Sequence, residues 1–175
     1  PTASPGRAAG TPGASNSFYN YLPEVFKPCP LITGWQGEYW NNETLSGTPV
    51  VCRDDAGVDF DWGDSGPGAG ISNDHFSARW TRRMDLSAGT YTFIMRTDDG
   101  MRVWIDDELI LDAWRVQAVS EYRVSRNIAA GDHNFRIEYY EAEGKAVAQF
   151  HWQVRDTPGG IVISNKQALD TCGPA

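Results

Sequence analysis

Arg96-Thr97-Asp98-Asp99-Gly100-Met101-Arg102-Val103-Trp104-Ile105-Asp106 is the densest stretch of this 175-residue chain, and its reading decides the rest. Just before it, Tyr91, Phe93 and Met95 alternate with polar residues, and Phe135, Ile137 and Tyr139 do the same farther on. Apolar groups at every second position mark strands with one buried face. In a regular strand Asp98 and Asp99 would point to opposite faces. A cis peptide between them would turn both carboxylates to one side, where a Ca²⁺ ion, which takes about six to eight oxygen ligands, would fit. The plainer reading is a solvated Asp-Asp-Gly turn closing a hairpin.

Outward from that stretch the β signal continues from Gly34 onward. The expected strands are Trp35–Trp40, Thr48–Arg53, Phe76–Leu86, Thr90–Thr97, Met101–Asp106, Glu108–Leu111, Val119–Ile128, Asp132–Tyr140, Ala146–Val154 and Gly160–Ser164. Turn chemistry separates them at Ser46-Gly47, Ala88-Gly89, Asp99-Gly100 and Ala130-Gly131. No segment holds a helical period over three turns. Short strands at this spacing predict an all-β fold, an antiparallel β-sandwich of about 120 residues.

The ends differ from the middle. Residues 1–17 are almost wholly Pro, Thr, Ala, Ser and Gly, the composition of a linker. Residues 18–33 form an apolar extension carrying Phe18, Tyr19, Tyr21, Leu22, Val25 and Phe26, which must pack on something. Residues 34–154 are the sandwich and 155–175 a C-terminal extension. Cys29 and Cys172 flank the patterned region and suit a clasp between the two ends, while Cys52, in an apolar run, is expected to fill core space.

Composition excludes several partners. With 15 Lys+Arg against 23 Asp+Glu the formal net charge is -8, so nucleic acid is repelled and no basic cluster offsets this. No apolar run approaches the roughly 18 residues of a membrane span, so no membrane insertion is expected. Without an initiating Met or a signal peptide the chain reads as a mature or excised product, secreted or held at a cell surface. Gly-x-Ser-x-Gly, His-Glu-x-x-His and P-loop motifs are lacking, so no catalysis is expected. His75, His133 and His151 lack metal-ligand spacing and read as structural.

Longer motifs narrow the family. Trp35-Gln36-Gly37-Glu38-Tyr39-Trp40-Asn41-Asn42 is followed by Val58-Asp59-Phe60-Asp61-Trp62-Gly63, Phe76-Ser77-Ala78-Arg79-Trp80, the Asp98 segment, Asp112-Ala113-Trp114 and Glu138-Tyr139-Tyr140-Glu141. In that order and spacing the sequence resembles, from about Gly34 to Trp152, the fourteen-kilodalton domain family named after anthrax protective antigen. The resemblance implies a β-sandwich found in glycosidases, toxins, adhesins and flocculins, many of which bind carbohydrate. In the adhesin branch the paired Asp holds Ca²⁺ through a cis peptide and sugar hydroxyls complete the metal shell. Carried over, the pair is Asp98 and Asp99. A further ligand from the loop Glu141-Ala142-Glu143-Gly144-Lys145 must be Glu141 or Glu143, because Ala142 stands where Asn or Gln often sits. Asp107 is a second departure, at a turn that usually carries Gly.

The expectation is an extracellular, calcium-dependent, glycan-binding domain of lectin or adhesin type. Asp98, Asp99 and Glu141 or Glu143 would hold the metal, with the Trp114 ring beside the sugar. Two alternatives stand beside it: a subunit of a surface filament, lending Phe18–Phe26 or Ile161–Ile163 to a neighbouring copy, and an accessory module of a glycosidase.

Overall fold

The computed structural model describes residues 29–155 and 162–164, the last four positions (155 and 162–164) as backbone only. They form eleven antiparallel strands and no helix: β1 Trp35–Trp40, β2 Val51–Asp55, β3 Asp59–Gly63, β4 Phe76–Leu86, β5 Gly89–Asp98, β6 Gly100–Ile105, β7 Glu108–Ala113, β8 Ser120–Ile128, β9 Gly131–Glu141, β10 Ala146–Arg155 and β11 Val162–Ser164. A six-stranded sheet runs β2-β1-β4-β9-β6-β7, and a five-stranded sheet runs β11-β10-β5-β8 with β3 also on β10. Inward residues of the two sheets make one core. Phe135 and Phe150 meet each other and both Trp35 and Phe93, with ring centres 5.8–6.2 Å apart. Burying each such side chain contributes about 1.5–3 kcal/mol.

One end of the core is polar. Asp55 is 7% exposed and accepts from Tyr39 Oη (2.6 Å), Trp80 Nε1 (2.9 Å) and Arg53 Nε (2.7 Å). The Arg53 guanidinium also donates to Tyr39 Oη at 2.7 Å. Desolvation and the Asp55 charge push the Tyr39 hydroxyl well above its ordinary pKa, so it stays a neutral donor. Gly37 faces Asp55 so closely that a Cβ there would strike the carboxylate.

Register fixes where each chain segment lies along the sandwich. In the five-stranded sheet Val147 pairs with Asp98 at one end and Arg155 with Thr90 at the other. In the six-stranded sheet Trp40–Ser77–Tyr140–Gly100 form a row beside Asp98, and Gln36–Thr81–Arg136–Trp104 a row nearer the opposite end. Between them runs Glu38–Arg79–Glu138–Arg102–Asp112, alternating in charge across five strands of the outer face. Arg79 meets Glu138 at 3.0 Å and Arg102 meets Asp112 at 3.0 Å.

Several expectations change. Asp99-Gly100 does not close a hairpin: β5 belongs to the five-stranded sheet and β6 to the six-stranded one, so the chain crosses between sheets there. The strand expected over Thr48–Arg53 runs instead over Val51–Asp55, because Pro49 brings no N–H to the ladder. β3 lies in a stretch not expected to be a strand. The Cys29–Cys172 pairing is overturned by a Cys29–Cys52 disulfide with Cα atoms 5.2 Å apart. The reason is parity. Cys52 pairs with Glu38, while the neighbouring pair Gly37–Arg53 shares the face of Asp55, so Cys52 points outward, where the segment before β1 reaches it. β11 pairs with β10 of its own chain, the intramolecular arrangement of that segment. The linker and apolar extension up to residue 28, and Cys172, lie outside the described residues.

The β6–β7 tip is a two-residue turn with Asp106 at φ 49° and Asp107 at φ 66°. Both positions favour glycine, and Asp is among the few other residues that tolerate them. Asp106 has a second duty: Oδ1 accepts from Asn134 N at 2.8 Å and Oδ2 lies 2.5 Å from His133 Nδ1. We predict that Asp107→Gly raises stability by up to about 1 kcal/mol, whereas Asp106→Gly lowers it through lost hydrogen bonds. Urea midpoints compare the two directly, and equal shifts would refute the assignment.

Candidate metal and ligand site

The crossing between the sheets builds the site. The Asp98–Asp99 peptide is cis, and Gly100 follows against the Tyr140 ring, which any Cβ at that position would strike. Asp98, Asp99 and Glu141 each offer a carboxylate oxygen within 4.8 Å of the others. They are 8%, 2% and 0% exposed. Glu141 arrives from β9, where Phe135, Ile137, Tyr139 and Glu141 share the inward face.

Each group is held by named partners. Asp99 Oδ1 accepts from Gln117 N and Oδ2 from Ala142 N, both at 2.9 Å, so the β7–β8 and β9–β10 loops are tied to one carboxylate. The Asp99 carbonyl accepts from Gln117 Nε2 at 2.9 Å and Thr97 Oγ1 at 3.1 Å. Tyr139 Oη donates to the Asp98 carbonyl and also lies 2.8 Å from Glu141 Oε2. Glu141 Oε1 is buried with no hydrogen-bond partner.

The electrostatics follow. Burial pushes the Glu141 carboxyl up to about 8, with the Asp99 and Asp98 charges adding to the rise and the Tyr139 hydroxyl opposing it. Asp98 is raised as well, by burial first and the Asp99 charge second. Three buried carboxylates and an unpartnered oxygen form a donor set that suits a hard divalent cation, which prefers oxygen ligands. Asp98, Asp99 and Glu141 fit that role; Glu143 does not join them. Its side chain is 82% exposed and lies 3.7 Å from His75 Nε2, while Glu43 holds His75 Nδ1 at 2.7 Å. Two residues past β9's last position, Glu143 has turned out of the inward series.

Trp114 is half-buried, its ring 4.8 Å from Tyr140 and 4.7 Å from the Arg102 guanidinium. It therefore stands on the flank of the crossing, two rings from Gly100. Gln117 and Tyr139 were missed as site residues. Tyr139 was assigned to the core by its alternation, correctly as to face, but its hydroxyl serves the crossing. Gln117 lies in Arg115-Val116-Gln117-Ala118, a stretch without any motif. Among the described residues no helix is long and apolar enough to cross a membrane.

The family described as PA14 domain matches residues 32–166. The anti-sigma-I factor RsgI3 of Acetivibrio thermocellus is 35% identical over 144 residues, which is 81% of this chain and 22% of that protein. A solved anti-sigma factor domain-containing protein is 34% identical with a TM-score of 0.67, over 77% of this chain and 47% of its own. The chain thus spans about a fifth of the curated relative and under half of the solved one. The PA14 sugar-binding domain from an RTX adhesin shares the fold at 19% identity and a TM-score of 0.54, over 77% of this chain and 97% of its own.

A raised carboxyl favours the folded state only while it keeps its proton. In chelator the contribution of Glu141 is full below its unfolded value near 4.5 and is lost as pH rises through about 8. Metal-free protein should therefore lose stability between those values, and Glu141→Gln should flatten the decline. Thermal melts across that range check it. An unchanged slope in the variant would show that Glu141 is not the titrating group.

Proposed function

This chain belongs to the PA14 domain family, and from that premise we propose that it is a non-catalytic, extracellular carbohydrate-binding domain whose ligand site is completed by Ca²⁺. The observation that carries this reading is the buried trio Asp98, Asp99 and Glu141 with the unpartnered Glu141 Oε1. Bound there, the ion would offset the three negative charges and offer open positions to vicinal sugar hydroxyls. The chain's own groups do the positioning. Gln117 N and Ala142 N fix the Asp99 carboxylate, and Tyr139 fixes the Asp98 carbonyl. Through those bonds the loops carrying Trp114 and Glu143 are each tied to one oxygen of Asp99, where they would set which sugar is accepted.

The likeness above 30% identity to anti-sigma factor proteins favours a second reading at the level of the whole protein. In that reading the same sugar site is the sensing end of a longer signalling chain rather than the tip of an adhesin. Both readings share one chemistry and are separated by what the rest of the chain does on binding.

Millimolar Ca²⁺ should raise the melting temperature, because a ligand bound only by the native state adds roughly 2.7 kcal/mol at a hundredfold excess over its Kd. Asp99→Asn should abolish that rise, and glycan-array binding should disappear in chelator. A Ca²⁺ shift that survives in Asp99→Asn would place the ion elsewhere. Array binding that persists in chelator would remove the ion from sugar recognition.

A further inference from the structure

The outer face of the six-stranded sheet carries three arginine–tryptophan pairs. Arg79 lies 5.5 Å from the Trp40 ring, Arg102 lies 4.7 Å from Trp114, and Arg136 lies 4.0 Å from Trp104. The first two guanidiniums are closed by carboxylates, Glu138 and Asp112. Arg136 forms no ion pair among the described residues. It lines a depression of about 580 Å³ together with Arg82 and Arg83. Arg83 is paired with Asp132 at 2.6 Å. Arg82 belongs to the inward series of β4 with Trp80 and Met84, and it also lines the opening beside Trp35, Phe150 and Trp152, so it adds no charge to the outer row. One carboxylate, Asp107, shares the rim. A chain of net charge -8 thus leaves Arg136, set against an indole on this outer face, without a salt-bridge partner among the described residues.

We propose that this hollow is a second binding site, for a sugar that carries a carboxylate, that is, a uronate unit of an acidic polysaccharide. A guanidinium stacked on an indole keeps its N–H edge free and held in one plane, the arrangement that receives a carboxylate in two parallel hydrogen bonds. Gln36 and Thr81 lie in the same row as Arg136, and Asn134 lines the hollow beside them, so short polar side chains are available for ring hydroxyls. The strands beneath, β1, β4, β9 and β6, are each paired on both sides. No free backbone edge is offered there to a peptide strand, so recognition rests on side chains, which suits a polyhydroxylated ring. Trp104 is four residues along β6 from Gly100, about 13 Å at ~3.3 Å per residue, so the hollow is separate from the carboxylate cluster and needs no metal.

The test is titration calorimetry in chelator with a mannuronate trimer, neutral mannotriose and tetraglutamate. The trimer should bind, more weakly as salt rises, and mannotriose should not. Arg136→Gln should weaken trimer binding by about tenfold or more, the cost of one bidentate charged contact, and Arg136→Lys by less. Arg123→Gln, an equal charge change on the other sheet, should leave it unaltered, and near-ultraviolet circular dichroism should show all three variants folded. Equal loss in Arg123→Gln, an unaltered Arg136→Gln, binding of mannotriose, or no binding of the trimer at all would overturn the proposal. Tetraglutamate binding as tightly as the trimer would overturn it in favour of an acidic peptide.

Discussion

The chain has to pass from one sheet of the sandwich to the other at Asp98-Asp99-Gly100, and the architecture of this end follows from that crossing. β5 ends at Asp98 and β6 begins at Gly100 in the opposite sheet, so a single residue, Asp99, spans the gap. Gly100 carries no side chain because the Tyr140 ring fills that space. The Asp98 carbonyl is met by Tyr139, and the Asp99 carboxylate gathers the N–H groups of two loops. Both sheets and both loops are therefore referred to three consecutive residues.

Two buried carboxylate sites in the same molecule show how structure and function part. Asp55 has a countercharge in Arg53 and donors in Tyr39 and Trp80, so its burial is fully compensated. Asp98, Asp99 and Glu141 have backbone and hydroxyl donors but no salt-bridging cation among the described residues, and one oxygen is left over. A low dielectric makes an uncompensated group costly, so the first site reads as a joint in the fold and the second as a receptacle.

Much of this was legible in the sequence because period-two alternation reports burial directly. β1 and β4 fall where Trp35–Trp40 and Phe76–Leu86 were expected. β3 was not among the expected strands, and its two Asp weaken the β signal, yet Asp59-Phe60-Asp61-Trp62 alternates, and Phe60 and Trp62 stack at 4.7 Å toward the core. The inward series was stopped at Tyr139; carried one step farther it brings Glu141, and not Glu143, beside Asp98 and Asp99. The disulfide was misread for a related reason: Cys52 was assigned to the core face of its strand, whereas the register turns it outward to Cys29. Nothing in the sequence signals Gln117 or the Arg136 hollow, since each depends on residues brought together from different strands and loops.

The register has a further consequence. β1 starts and β10 finishes at the same end of the sandwich, and from Val147, beside Asp98, to Arg155 the strand travels about 26 Å at ~3.3 Å per residue. The sandwich is thus a bipolar object. β1 begins and β10 ends at one pole, and the carboxylates stand at the other. The neighbouring described segments fold back from the first pole: Cys29 is tied to Cys52 beside Glu38, and β11 returns along β10 until Ser164 lies beside Gln153.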